Sequence, residues 1–407
     1  MAGKLISNQA LVNIGIILLF MPSIYTGFYP GKITVISFIC GWLIIALYVL
    51  NSKYMDFCEF DGKPLFVLFM LLNAVIYIRG FFNIDSNRDK YALVVSLFFM
   101  CFLVPVYMSL AQSELLPAIW RTLLYLGGAL CVVCYFFPSN DGMMSLAHNA
   151  SYLNIFILCT PFVSKKWRWF IIFAALIIAL MDVDRRSILA NTLFCLFLGA
   201  FATSMSKNVP KVLLFTMLIL TPIVLFTLGV SGVFNVFQHM EEEYTYHVSE
   251  ESRDLFVDSR SEVYQDVFGE LREKDATLWG LGGNGKTRTS LSDLRHNNYD
   301  EIYAHGRPGT ESGMLNYIQY GGLIGFGIFG LLLVVGAFRA VFQSNNRFMV
   351  LIGLYVAFKF LFSFIEDRVG FQPNTFYLFL AIGMCYNVKL REMDDDEMTE
   401  YIQQAFI

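Results

Sequence analysis

Charge is what this chain has least of. Only 15% of its 407 residues are Asp, Glu, Lys or Arg, against 56% hydrophobic residues, and the mean hydropathy of +0.56 excludes an ordinary soluble globular domain. Strand-like alternation over ~10-residue segments is also missing, which excludes a transmembrane barrel and leaves helical spans. No internal repeat is found at any period, so the inverted-repeat signature of many transporters is absent. No small-residue cleavage site follows the apolar stretch that opens at Ala10, so a retained first helix is expected and not a removed signal peptide. The eight cysteines lie in apolar runs, Cys58 excepted, and suggest neither a disulfide framework nor a zinc site. Cys131 and Cys134 form a C-x-x-C without a redox-fold context and read as small buried hydrophobes. No acidic cluster is arranged for magnesium, so neither a metal nor a cofactor is expected.

What is present is a succession of apolar runs. Measured against the ~20 residues that cross a bilayer, about twelve candidate helices emerge. They extend over Ala10 to Gly27, Ile33 to Leu50, Pro64 to Phe82, Tyr91 to Leu110, Ala118 to Phe137, Ala150 to Val163, Trp167 to Met181, Ser187 to Thr203, Val212 to Phe234, Met314 to Phe342, Phe348 to Ile365 and Phe376 to Val388. The expected fold class is therefore an all-α integral membrane protein: nine helices within residues 1–234, a loop over 235–313, three more helices within 314–388 and a tail over 389–407. Lys53, Lys63, Lys165, Lys166, Arg168, Lys207, Lys211, Arg339, Arg347, Lys389 and Arg391 fall on one side with both termini, which the positive-inside rule makes the cytoplasm. The opposite side receives a loop of about 80 residues, far longer than an ordinary connection and the expected seat of function.

The loop has a grammar of its own. "SRSEVYQDVFGELREK" spaces Val263, Val267 and Leu271 as an amphipathic helix does, with Ser259 as the candidate N-cap. "WGLGGNG" follows, glycines whose backbone can turn sharply or approach another group closely. Upstream, "DVDRRS" sets Arg185 and Arg186 on the extracytoplasmic side, against the usual charge bias; an anion there explains the pair better than snorkelling to headgroups. Arg260 stands in the first turn of the loop helix. It either pairs with Asp258 or Glu262, or joins the helix-start amides in holding a phosphate. Downstream, "HGRPGTESGMLNYIQYGGLIG" places His305, Arg307 and Glu311 just outside the next span, with Glu311 readable as a helix cap or as a base. Gly321, Gly322 and Gly325 inside that span have a plain packing role.

Together, the arginine after a middle span, the "SR" opening a helix that runs into "WGLGGNG", and the polar run into "NYIQYGGLIG" resemble the O-antigen ligase and O-antigen polymerase superfamily. The resemblance covers mostly Asp182 to Gly330. It implies a GT-C-like fold in a bacterial inner membrane, with both termini cytoplasmic and the active site periplasmic. It implies inverting, metal-independent glycosyl transfer from an undecaprenyl pyrophosphate-linked oligosaccharide. Arg185 or Arg186 then matches the first family arginine and Arg260 the second; Arg307, from its place beside the next span, is a further candidate pyrophosphate contact. Where the ligases carry a His-Asn pair, this chain has Glu311-Ser312, so the base is Glu311, or His305, or is dispensable. The departure favours a polymerase that lengthens a surface polysaccharide on another lipid-linked repeat unit. The alternatives are a ligase acting on lipid A core and, in a different class, a lipid-linked oligosaccharide flippase or transporter. Expected partners are the lipid-linked substrate, membrane lipid and a chain-length regulator protein, and no nucleic acid.

Overall fold

A computed structural model describes residues 61–93, 116–136, 151–181, 186–205, 207–230, 260–288, 306–310, 312–366 and 373–406, with short pieces at 10, 13–18, 39–40 and 43. The described chain is mostly helical. Helix α1 (Lys63–Gly80) starts with Pro64 in its first turn, where a missing N–H costs nothing. It is followed by α2 (Asn87–Ala92), closed by a reciprocal capping box between Ser86 and Asp89. Then come α3 (Leu116–Phe136), α4 (Lys165–Met181), α5 (Arg186–Ala200), α6 (Asn208–Val230) and α7 (Arg260–Glu273). Two two-residue strands, β1 (Lys286–Thr287) and β2 (Arg307–Pro308), pair antiparallel, with Thr287 opposite Arg307. After them run α8 (Gly313–Phe342), α9 (Arg347–Phe362), α10 (Pro373–Tyr386), α11 (Val388–Glu392) and α12 (Asp395–Gln403).

Among the described residues, Lys63–Asn83, Asn208–Thr227 and Gly313–Phe342 are long and apolar enough to cross a membrane. The shorter apolar helices include Ser187–Ala200 and Asn374–Tyr386. Helix α8 is the centre post. It packs against α9, α10 and α1, and the rings of Phe69, Tyr317, Phe329 and Phe379 interlock between them. Helix α9 in turn packs against α6, α5 and a 3₁₀ segment, Ser151–Cys159. That segment replaces most of the α-helix expected over Ala150 to Val163. Pro161 offers no N–H to the Ile157 carbonyl, which instead takes both the N–H and the hydroxyl of Thr160, an i to i+3 pattern.

Residues 388–406 are tied into the bundle. Arg391, 5% exposed, pairs with Asp61, which also binds Arg339 at 3.1 Å. Helix α12 begins with a capping box of Asp394 and Glu397. It buries Met398 and Ile402, and beyond its end the Phe406 ring lies against Phe156 and Trp167. Trp120 meets Tyr401, Arg121 donates to the Gln404 carbonyl, and Gln403 donates to that of Phe162.

Candidate functional site

The expected amphipathic loop helix is present as α7. Its Val267 and Leu271 are fully buried against Leu315 and Ile318 of α8, forming a small core apart from the main one. Burying two such side chains contributes about 1.5–3 kcal/mol each and seats the helix across the first turns of α8. Tyr264, one turn earlier on that face, donates its hydroxyl to the Phe364 carbonyl at 2.7 Å and lies 3.3 Å from the Ser312 hydroxyl. Arg260 begins the helix one turn before Tyr264, on the same face.

Ser312 ties the start of α8 to the end of α9. Its hydroxyl donates to the Ser363 carbonyl at 2.8 Å and accepts from the Leu315 N–H, while the Gly313 and Met314 N–H groups reach the Glu366 and Ser363 carbonyls. Just before it, Asn316 closes a loop with Thr310, accepting its N–H at 2.7 Å and donating to its carbonyl at 2.9 Å. The backbone of Arg307 stands three residues before Thr310, in β2. Helix α5 packs along α9. Gly199 abuts Ile157 and Thr160, Phe348 abuts Phe162, and Phe194 stacks on Phe358 at 4.0 Å, so α5 and α9 run antiparallel. The Arg186 start of α5 therefore lies toward the Ser363–Glu366 turn, eight residues, or ~12 Å, beyond Phe194. Lys359 sits one turn below Ser363, 5% exposed, its ammonium over the rings of Tyr355 and Phe362.

The glycine-rich stretch does something else. Helix α8 is broken at Gly322 (φ 64°, ψ −158°), a conformation open essentially to glycine alone. In an unbroken helix the Gln319 and Tyr320 carbonyls would accept from Leu323 and Ile324. Here they accept from Leu281 and Gly282, at 2.8 and 3.0 Å, while the Leu323 and Ile324 N–H groups donate to Thr277 and Leu278, at 2.9 and 3.3 Å. Residues 277–282 are thus inserted into the break and satisfy four main-chain groups that would otherwise each cost about 1–3 kcal/mol. The approach is close enough that a Cβ on Gly280 would lie 2.4 Å from the Tyr320 carbonyl carbon. The glycines of "WGLGGNG" admit a helix backbone, and the packing role expected for Gly322 is replaced by a helix break.

The far side of the inserted segment is fastened to α1. Arg79 donates to the Trp279 and Gly280 carbonyls at 2.6 and 2.8 Å, Asn83 to those of Leu281 and Gly283, and the Gly283 N–H to Ile76. Asn284 donates to the Asp89 carbonyl, and Gln319 to that of Gly285. Lys286 bridges Asp85 at 2.9 Å and Asp89 at 3.1 Å. Burial alone would raise the Asp89 carboxyl, but hydrogen bonds from the Asp85 main chain, Lys286 and Ser86, with the charge of Lys286, hold it below its ordinary value. Burial likewise pulls the Lys286 ammonium down, and its two carboxylate partners raise it above its ordinary value.

Of the residues singled out from the sequence, Arg186 starts α5, Arg260 starts α7 and Arg307 lies in β2, opposite Thr287; Arg185, His305 and Glu311 lie outside the described residues. Arg79, Asn83, Tyr264 and Ser363 were not singled out. Arg79 carried a signal: a lone arginine closing an apolar run, directly before a glycine. No group of three or more His, Cys, Asp or Glu side chains gathers as metal ligands do among the described residues. Compared with protein-family models, curated proteins and solved structures, the chain matches none of them.

Proposed function

We propose that this chain is a membrane glycosyltransferase of the O-antigen polymerase and ligase kind, lengthening a surface polysaccharide on its lipid carrier. One observation carries the reading furthest. Helix α7, which starts at Arg260, is fastened through Tyr264 to Ser312 at the start of α8 and to Phe364 after α9, and in this reading the Arg186 start of α5 and the strand bearing Arg307 complete the site. Helix starts present unpaired N–H groups and positive dipole ends, and arginines add planar donor forks; this combination suits a pyrophosphate. In this reading about twelve spans and an extracytoplasmic loop over 235–313 surround the site in a GT-C-like arrangement, in a bacterial inner membrane.

The chemistry follows from the leaving group. An acceptor hydroxyl on a second lipid-linked repeat unit attacks the anomeric carbon of the donor sugar. A new C–O bond forms on one face as the bond to the undecaprenyl pyrophosphate breaks on the other, with inversion. The arginines neutralise the charge that develops on the departing pyrophosphate, and Glu311 takes the hydroxyl proton, with His305 the alternative base.

A transporter reading draws on the break in α8, since discontinuous helices commonly hold ions or substrates. Here the carbonyls of Gln319 and Tyr320 and the N–H groups of Leu323 and Ile324 are taken by residues 277–282, which favours the enzyme. Purified protein given lipid-linked repeat unit tests the proposal. A ladder of longer chains with release of undecaprenyl pyrophosphate is expected; transfer only to lipid A core would make it a ligase. Movement of intact donor across vesicles without bond cleavage would refute both.

A further inference from the structure

We propose that residues 278–279 are a membrane-interface anchor, with Leu278 and Trp279 seated at the boundary between lipid headgroups and acyl chains. This does not rest on the glycosyl-transfer reading. Helix α1 is long and apolar enough to cross a bilayer, and its exposed Val67, Leu71, Val75 and Ile78 recur on one face as a lipid-facing stripe does. At the end of that helix the stripe passes into Phe81 and Phe82, 53% and 85% exposed. There the inserted segment presents Leu278 at 57% and Trp279 at 62%. Arg79 fixes this placement through the Trp279 and Gly280 carbonyls.

The chemistry changes within a few residues. Asn83, Asp85 and Lys286 follow directly, so the aromatic side chains stand where an apolar surface gives way to a charged one. Indole is suited to that level, with an apolar body and one N–H donor. The span fits as well: α1 rises ~26 Å from Lys63 to Gly80, close to one hydrocarbon thickness. The opposite boundary is marked by exposed Trp169 beside Lys165 and Lys166, on the end of α4 that packs Trp167 against Phe406. The occupant of the patch is therefore phospholipid, as it is for the stripe from which the patch continues.

Tryptophan emission from the full chain in phosphatidylcholine vesicles tests this. The difference between the wild-type protein and Trp279→Phe isolates the Trp279 signal. It is expected to be quenched most by lipids brominated near the carbonyl end of the acyl chain, less by lipids brominated near the methyl end, and little by aqueous iodide. Leu278→Trp in the Trp279→Phe background should restore the same pattern. Quenching by iodide without quenching by bromolipid would put the segment in water; quenching by neither would mean that protein covers it. Either result overturns the proposal.

Discussion

The polar stretch between α6 and α8 supplies two regions of opposite character. Where α7 meets Ser312 and the end of α9, side-chain hydroxyls carry much of the fastening: Tyr264 reaches the Phe364 carbonyl and Ser312 that of Ser363, beside two main-chain bonds from Gly313 and Met314. At the junction of residues 277–285 with α1 and α8, main-chain groups are matched one to one, and the side chains that help, Arg79, Asn83 and Gln319, also serve carbonyls. The second arrangement consumes its main-chain polar groups, and under the proposed function the first is where a ligand would be held. Substitutions should therefore separate: those at the junction should cost folding, and those in the first region should cost turnover at unchanged stability.

The largest effect is expected at the junction. Gly322→Ala forces a Cβ to within 2.3 Å of the Leu278 carbonyl at a φ of 64°, and strain plus clash should exceed about 4 kcal/mol. Little monodisperse protein should survive detergent extraction; a normal yield would undo the contrast between the regions. Next comes Glu311→Gln, which keeps the shape of the side chain and removes its basicity. Turnover should fall by roughly 10²–10⁴-fold with donor still bound, whereas a small effect paired with a damaging His305→Ala would transfer the role. Arg260→Lys should follow, lowering polymer formation on the order of 10²-fold with the melting temperature unchanged, since one ammonium cannot replace a planar fork. A lowered melting temperature would instead assign Arg260 to the scaffold.

A smaller effect belongs to the Lys286 cluster. The Asp89 carboxyl is depressed, so its stabilisation is complete above its unfolded value of ~3.9 and fades as pH falls through the folded one. The Lys286 ammonium is raised, so its share is complete below ~10.4 and is lost as pH rises through the folded value. Melting temperature should be flat across neutral pH and decline at both extremes. Asp89→Asn should lower the plateau and flatten the acid limb. The smallest change is expected at Gly269, exposed within α7 with nothing near its missing Cβ. Gly269→Ala should stabilise by about 0.4–1 kcal/mol and leave activity alone; equal damage there and at Gly322 would mean that the glycines act through composition and not through position.

The same division explains what could be read in advance. Helix α7 was legible because Val263, Val267 and Leu271 repeat locally, and the helices α1, α6 and α8 announce themselves by hydrophobic length, with α5 and α10 as shorter apolar runs. The partners of the glycines were not legible. Arg79 and Trp279 are 200 residues apart, and nothing local in "WGLGGNG" distinguishes a loop that cradles a ligand from one that admits a helix backbone. The break at Gly322 was hidden for a related reason, since its missing hydrogen bonds are supplied from a segment about 40 residues upstream. The 3₁₀ segment was hidden within a hydrophobic run, although Pro161 marked where that run could not continue as an α-helix.

The docking of α12 also has a temporal side. Trp120, Phe156 and Trp167 wait for Tyr401 and Phe406, and Arg121 waits for Gln404, a separation of 283 positions. The helices of the first half leave the ribosome long before these partners exist. Contacts of such high order slow the final consolidation, and until the ribosome has delivered residue 406 that end of the bundle stays ajar. The contacts of residues 401–406 are therefore the last to become available during synthesis, and they close that end of the bundle.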